Sequence, residues 1–292
     1  MSLGMITPVM DSQLPAYRTV FLTVMQNLRE SDVGAELVVV VQSKGGADRL
    51  DLDFLRTPGV VVLTTTRFSA SAARNLGLDR LRSTEPRFVC SLDSDAVPSV
   101  GLLRSVRSYL GGSDRILIGR AHWQDGEADG QFSDVTPGRP ASIGRVLFST
   151  YLWSTFLPTS YVHGPGIRFD ESIGPGEETQ LKSGEDVLFL SQVVLTNEIE
   201  EALTFDACAL HPRRPSDYSK HLTYAEGQGA LFVRLLRSQL PRSLKARVVA
   251  SFGLFLGNAL VRVLTFRRRS LPILRLRVRG ALEGFRLETI SP

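Results

Sequence analysis

Two aspartates one residue apart, Asp93 and Asp95, end the apolar run in the segment PRFVCSLDSDAVPS. Such a run is typical of a buried strand, and alternate residues leaving a strand point to the same side. Two carboxylates placed in this way supply the hard oxygen ligands that Mg²⁺ or Mn²⁺ prefers, and such an ion is then shared with substrate phosphates. The pattern is short, however, and an aspartate here can equally cap the helix that follows.

A second acidic pair, Glu185 and Asp186, stands in KSGEDVLFLSQVVL, where a helical pattern of apolar residues begins. Acidic side chains at a helix start interact favourably with the helix dipole, which is sufficient reason for their presence. A carboxylate within hydrogen-bond reach of a hydroxyl group can also remove its proton as a general base. The residues alone leave both interpretations open.

Three further side chains are of types that bind metals, phosphates or sugars. His211, in ALHPRR, follows a predicted strand, and its imidazole is either a metal ligand or part of a surface loop. Arg213, in the same segment, either neutralises phosphates or is simply solvated. Trp123 ends the predicted strand RILIGRAHW, where it either stacks on a sugar ring or packs in the core.

The elements that must position these side chains alternate between strand and helix along the first half of the chain. This alternation is typical of a mainly parallel sheet flanked by helices. Strands are predicted in LGMITPVM, ELVVVVQS, GVVVLTTT, RFVCSLD, RILIGRAHW and ALTFDACALHPRR. Helices are predicted in YRTVFLTVMQNLRES, LDFLRTP, SASAARNLGLDRLRS, VGLLRSVRSYLGG and GEDVLFLSQVVL. Ligands of such sheets bind outside the carboxyl ends of the strands, where Asp93 and Asp95 are expected.

The basic character of the protein is concentrated at its C-terminus, where residues 241–292 hold 11 Lys and Arg against 2 Asp and Glu. The segment VVASFGLFLGNALVRVLTF is almost wholly apolar, but Asn258 and Arg262 interrupt it. A membrane span takes about 20 apolar residues. We therefore predict a helix lying at an anionic membrane surface, with a core or oligomer-interface helix, or a true membrane span, as the alternatives. A tail this apolar does not favour nucleic acid as the partner.

Four segments in this order resemble the family 2 glycosyltransferases. They are ELVVVVQS; SASAARNLGLDRL, similar to the family's small residues followed by A-R-N-x-G; VCSLDSDAVPS, similar to its apolar–D-x-D–x-x-P segment; and IRFDESIGPGEETQLKSGEDVLFL, similar to its F-D-E followed by G-E-D. The resemblance spans residues 3–215 and implies the GT-A fold, a mainly parallel central sheet flanked by helices. We accordingly expect a GT-A domain over residues 1–215 and a helical, basic, membrane-associating extension over residues 216–292.

The resemblance implies an inverting transfer of a sugar from a nucleotide-sugar donor to a hydroxyl of a glycan or lipid-linked acceptor, in cell-surface polysaccharide synthesis. Asp93, Asp95 and His211 would hold Mn²⁺ or Mg²⁺ at the donor diphosphate. Asp186 would be the general base, and Glu185 beside it would position the loop or bind the acceptor. Trp123 would lie on the acceptor side, and the donor would also contact Gln42, Arg74, Gly164, Gly166 and Arg213.

Two positions depart from the family pattern. The second strand ends VVVVQS, so Gln42 stands where the family usually has an aspartate that contacts the base of the nucleotide. An amide can still bond to a base edge but carries no charge, which leaves the nucleotide open. The first strand lacks the family's P-T-Y-N ending, of which Thr7-Pro8 is a partial match.

Two other functions remain open. A non-catalytic relative could keep the fold as a sugar- or partner-binding module, but it has no need of a base such as Asp186. A sugar-phosphate nucleotidyltransferase usually has a glycine-rich basic loop after its first strand, unlike MITPVMDSQLPAY.

The cellular compartment follows from weaker signals. Cys90 and Cys208 lie in apolar stretches, which predicts reduced core thiols. The N-terminal MSLGMITPVM has neither a basic region nor a long apolar run, so no signal peptide is predicted. We expect a cytoplasmic enzyme, peripheral on the inner face of the plasma membrane.

Overall fold

The computed structural model describes residues 2–46, 50–112, 114–124, 134–212, 219–265 and 270–287. The strands are β1 Leu3–Met10, β2 Ala35–Gln42, β3 Val60–Thr65, β4 Phe88–Ser91, β5 Val97–Pro98, β6 Ile116–Gln124, β7 Arg139–Ser142, β8 Thr155–Pro158 and β9 Glu201–Pro212. The helices are α1 Leu14–Ser31, α2 Ala70–Leu81, α3 Val100–Arg107, α4 Ile143–Val146, α5 Thr159–His163, α6 Glu185–Thr196, α7 Ser219–Arg237, α8 Arg242–Leu264 and α9 Ser270–Gly284.

The described strands form one nine-stranded sheet in the order β3-β2-β1-β4-β8-β6-β9-β5, with β7 paired to β9. The first four strands in this order are parallel, as the alternation of strands and helices predicts. Strand β8 pairs antiparallel with both β4 and β6, and β6 pairs parallel with β9. The predicted mainly parallel sheet flanked by helices is confirmed.

Two of the sequence predictions differ in detail from the structure. No strand is predicted in the stretch RVLFSTYLWSTFL, but β8 begins in it; the four residues of this strand are too few to show a clear alternation. The predicted helix in LDFLRTP is a single 3₁₀ turn, Asp53–Leu55, because Pro58 and Gly59 follow closely and end any helical pattern. Both cysteines are free and buried, as expected.

Alternate residues of β1 serve opposite faces of the sheet. Leu3, Met5 and Val9 belong to the main core, to which α1 and α3 also contribute. Ile6 points to the other face, where it meets α2 at Gly77. A Cβ atom on Gly77 would lie 2.4 Å from Ile6 Cγ2, so only glycine lets α2 approach the sheet this closely.

Gly77→Ala is therefore expected to destabilise the protein by about 1–3 kcal/mol, the usual cost of overpacking a core. The measurement is the midpoint of thermal unfolding against wild type. Gly112→Ala is the matched control, because a Cβ atom on Gly112 meets nothing within 4 Å. Equal midpoints for the two variants would show that α2 shifts without cost.

The chain divides into two compact units. The first comprises Met1–Arg168 and Ile199–Arg214 and holds the nine-stranded sheet. The second comprises Phe169–Glu198 and Pro215–Pro292, so it includes α6 as well as the C-terminal helices. The expected boundary after residue 215 thus lies close to one boundary between the units, but residues 169–198 join the C-terminal part.

Within the second unit, α7 and α9 pack closely through glycines. A Cβ atom on Gly229 would lie 2.1 Å from the carbonyl oxygen of Arg277, and one on Gly280 would lie 1.9 Å from that of Glu226. Absence of side chains at these positions lets the two backbones touch.

Helix α8 is long and apolar enough, by length and composition, to cross a membrane, and only 11% of its most apolar stretch is buried within the structure. Leu254 is 69% exposed, Leu264 66% and Val261 58%. The helix is therefore not a core helix of the chain that the structure describes, which removes the core-helix alternative.

Candidate functional site

The two aspartates of the D-x-D segment follow β4 through a tight turn. The amide of Leu92 donates to the carbonyl of Ile6, which continues the pairing with β1 beyond β4. The amide of Ala96 donates to the carbonyl of Asp93 and closes the turn. The chain then enters β5, which pairs antiparallel with β9 so that Val97 lies opposite Leu210. This pairing brings the turn next to the end of β9.

Asp93, Asp95 and His211 consequently form a cluster in which the potential ligand atoms all lie within 4.8 Å of one another. His211 Nε2 lies 3.1 Å from Asp95 Oδ1 and 3.9 Å from Asp93 Oδ2. His211 Nδ1 lies 2.7 Å from the carbonyl oxygen of Pro212, to which it donates in the tautomer that leaves Nε2 free to face the carboxylates. Two carboxylates and an imidazole oriented in this way fit a divalent cation.

Arg74 borders this cluster from the first half of α2. Its side chain is 96% buried, and Nη2 donates to Asp93 Oδ1 over 3.0 Å. The guanidinium thus fixes one carboxylate and offsets part of its charge. Burial lowers the pKa of His211, but hydrogen bonds to Asp95 and Pro212 and the charges of both aspartates raise it, and the net effect is a pKa above the usual value. The cluster therefore favours positive charge at its centre.

An aromatic wall, formed by Trp123, Tyr151 and Trp153, holds the imidazole of His211 in place. Its ring lies 4.8 Å from that of Trp123 and 5.1 Å from that of Trp153, measured between centroids. Tyr151 stacks on Trp153 with centroids 5.2 Å apart. Of these three residues, the sequence indicates only Trp123 as a site residue. Tyr151 and Trp153 lie in RVLFSTYLWSTFL, where the apolar residues show neither helical nor strand spacing.

A pocket of about 440 Å³ opens beside this wall, in the same unit. Trp123 and Tyr151 line it together with polar residues of the sheet and of the following segment, among them Arg120, Thr150 and Asp206. It forms where β6 shifts register against β9 between Ile118 and Arg120. Aromatic rings and hydrogen-bonding groups around one concave space suit a sugar.

Glu185 and Asp186 occupy the first turn of α6, in the second unit. Gly184 precedes them with a φ of 107°, a conformation that favours glycine. Helix α7 fixes this helix start, because Ser183 Oγ donates to the carbonyl of Tyr224 over 2.9 Å. Glu185 is buried, whereas Asp186 is partly exposed, with its Oδ1 atom buried.

The remaining residues predicted to contact the donor lie at different edges of the sheet. Gln42 is buried at the carboxyl end of β2, level with Met10 and Thr65 at the ends of the neighbouring strands. Gly164 and Gly166 follow α5, which begins beside the start of β4, since the amide of Thr159 donates to the carbonyl of Arg87.

The structure therefore does not bring these two glycines to the carboxyl ends of the strands, because β8 runs antiparallel to β4 and delivers the chain to the opposite edge. A Cβ atom on Gly166 would have Arg82, just beyond the end of α2, as its neighbour. Arg213 lies outside the described residues.

No family model matches the sequence, and no curated protein matches it. Solved structures do share the fold. S. aureus TarS 1–349 in complex with UDP-GlcNAc has a TM-score of 0.65 and 18% identity, over 97% of this chain and 81% of that one. The mannosyltransferase PcManGT from Pyrobaculum calidifontis, in complex with GDP-Man and Mn²⁺, has a TM-score of 0.60 and 14% identity, over 98% of this chain and 76% of that one. The chain has the GT-A fold, as the family resemblance implies.

Proposed function

We propose that this protein is a metal-dependent, inverting glycosyltransferase that transfers a sugar from a nucleotide-sugar donor to a hydroxyl of a glycan or lipid-linked acceptor. The observation that carries the proposal is the cluster of Asp93, Asp95 and His211 at the carboxyl end of β4. Ligands of open α/β sheets bind at this edge. The solved structures with the same fold include complexes with UDP-GlcNAc and with GDP-Man and Mn²⁺, which supports a donor of this class.

The proposed chemistry assigns a separate task to each polar group. A divalent ion, Mn²⁺ or Mg²⁺, would offset the charge that develops on the leaving nucleoside diphosphate. Asp93, Asp95 and His211 would hold that ion, with Arg74 keeping Asp93 in place. Asp186 would take the proton of the attacking hydroxyl. Because that hydroxyl attacks opposite the leaving group, the configuration of the anomeric carbon is inverted.

The acceptor is proposed to bind in the pocket beside Trp123 and Tyr151. An acceptor hydroxyl is polar and its sugar ring has apolar faces, which matches a pocket with both aromatic and hydrogen-bonding walls. We propose a role in cell-surface polysaccharide synthesis, where acceptors of this kind are glycans or lipid-linked sugars.

The test is a binding screen by thermal shift and calorimetry with UDP-, GDP-, dTDP- and CDP-sugars, each with and without Mn²⁺ or Mg²⁺. A donor that binds only with metal supports the proposal and identifies the nucleotide that Gln42 accepts. No binding to any donor by folded protein would favour the non-catalytic binding module. Release of pyrophosphate from a nucleoside triphosphate and a sugar phosphate would instead indicate a nucleotidyltransferase.

The protein is further proposed to lie on the inner face of the plasma membrane, with the exposed face of α8 against anionic lipid. Along this face Leu254, Val261 and Leu264 recur with helical spacing. Arginines surround it in sequence, at Arg242, Arg247 and Arg262 and in the run RRR at 267–269. Apolar burial and attraction to anionic headgroups together account for interfacial binding.

Leu254→Glu is expected to weaken binding to vesicles that contain phosphatidylglycerol at least tenfold, because it replaces apolar contact by a repelled charge. Vesicle flotation measures the partition. Leu22→Glu is the matched control, since Leu22 is also exposed, at 56%, but lies on α1. Equal partition of both variants would contradict the proposal, and a dimer that dissociates only on Leu254→Glu would assign the face to a second copy.

A further inference from the structure

A small cavity among α7, α8 and α9, within the second unit, carries an excess of positive charge. It is lined by His221, Ala259, Arg262, Ser270, Ile273 and Arg277. Two of these side chains are arginines and one is a histidine, and none of the described lining residues is acidic. A concave site with this composition favours an anion.

Ser270 is the first independent sign of a ligand site. This residue, the first of α9, is 96% buried, and its Oγ has no hydrogen-bond partner among the described residues. A buried hydroxyl without a partner costs free energy that a ligand can restore.

Arg277 supplies the second sign. Nη1 donates to the carbonyl of Phe255 over 2.7 Å, and the guanidinium lies over the Phe255 ring at 3.5 Å from its centroid. These contacts hold the group in one orientation, yet its buried Nε has no hydrogen-bond partner among the described residues. Burial, together with the charge of Arg262, lowers the pKa of Arg277 to about 10. A bound anion would accept a hydrogen bond from Nε and would offset the charges of Arg277 and Arg262.

The size of the cavity limits what enters it. The cavity offers a water-sized group about 10 Å³, close to the least space that holds one. A tetrahedral anion can therefore place one oxygen inside, against Ser270 and Arg277, while its other oxygens stay at the mouth near the exposed Arg262.

We propose that this cavity, at the start of α9, binds a phosphate group, and that the group belongs to the headgroup of an anionic phospholipid. The inference rests on the proposed membrane association of α8, because Arg262 lies on that helix between the exposed Val261 and Leu264. The cavity gives the membrane-facing surface a defined contact with one lipid phosphate in addition to its diffuse positive charge.

The test compares full-length protein with two variants on vesicles of phosphatidylcholine with and without phosphatidylglycerol. Ser270→Ala changes no charge, so diffuse electrostatics leave binding unaltered, whereas loss of a hydrogen bond to a phosphate weakens it about tenfold. Ser243→Ala, at an exposed serine of α8, is its control. Arg277→Gln is expected to weaken vesicle binding more than Arg275→Gln does. Arg275 is an exposed control, for which the loss of one charge weakens binding about fivefold.

A parallel thermal shift with inorganic phosphate, against chloride at equal ionic strength, separates the two sources of the group. Stabilisation by phosphate that Ser270→Ala abolishes, without any effect on vesicle binding, would assign the site to free phosphate and overturn the lipid assignment. If Ser270→Ala binds vesicles and responds to phosphate as wild type does, the cavity is not a phosphate site. Membrane association itself fails separately, when wild type does not float with anionic vesicles.

Discussion

Asp186→Asn is expected to abolish sugar transfer while leaving donor binding intact. The substitution keeps the size of the side chain but removes the basic oxygen that would accept the proton of the acceptor hydroxyl. General-base catalysis contributes about 10²–10⁴-fold, and we expect a loss of turnover of that size. Asp186 lies in the first turn of α6, where a lost charge costs only about 0.3–1 kcal/mol of helix stability. Turnover and stability should therefore respond very differently.

Three measurements separate these effects: the transfer rate, the calorimetric affinity for donor and metal, and the midpoint of thermal unfolding. Glu177→Gln is the control, because Glu177 is an exposed acid in the same unit. Normal transfer by Asp186→Asn would remove Asp186 from the mechanism. Glu185→Gln is then the next variant, although a buried Glu185 has less access to an acceptor.

Asp95→Ala is expected to lose metal-dependent donor binding and transfer together, by at least about 100-fold, since even groups that only orient a metal ligand cost 10–100-fold when removed. The substitution takes away the carboxylate 3.1 Å from His211 Nε2 and leaves Asp93 with Arg74. Donor affinity should then be equal with and without Mn²⁺. Calorimetry with Mn²⁺ alone, followed by donor, measures both steps.

Asp134→Ala controls for the loss of one exposed negative charge of the first unit outside the cluster. A His211→Ala variant with the same phenotype as Asp95→Ala would support a shared ion. If Asp95→Ala retains metal-stimulated donor binding, Asp95 is not a metal ligand and the ion is held elsewhere.

The sequence predicts the parallel half of the fold well, because its central strands β1, β2 and β4 are buried on both faces. Val38, Val39 and Val40 are fully buried in β2, and a β-branched run of this kind is typical of a central strand in a parallel sheet. The antiparallel strand β8, between β4 and β6, is not predicted. Strand β8 has four residues, so its orientation depends on pairing with β4 and β6, which are distant in sequence.

The candidate site shows the same division. Asp93, Asp95 and His211 are of types that bind metal, but the family resemblance, and no pattern in the residues, implies that the three share one ion. The sequence does not indicate Tyr151 and Trp153 as site residues, because their contribution to the aromatic wall depends on how they pack around His211. Residues that become neighbours only because distant strands pair leave no local pattern in the sequence.

The close packing of α7 with α9 has a consequence for Asp186, the proposed general base. Helix α6, with Asp186 at its start, belongs to the same compact unit as α7, α8 and α9, and Ser183 ties its first turn to α7. A ligand that binds only the folded form of this unit stabilises all of it by mass action. Thermodynamic linkage is reciprocal, so lipid bound at the C-terminal helices and order at the start of α6 must reinforce each other wherever the unit unfolds as one.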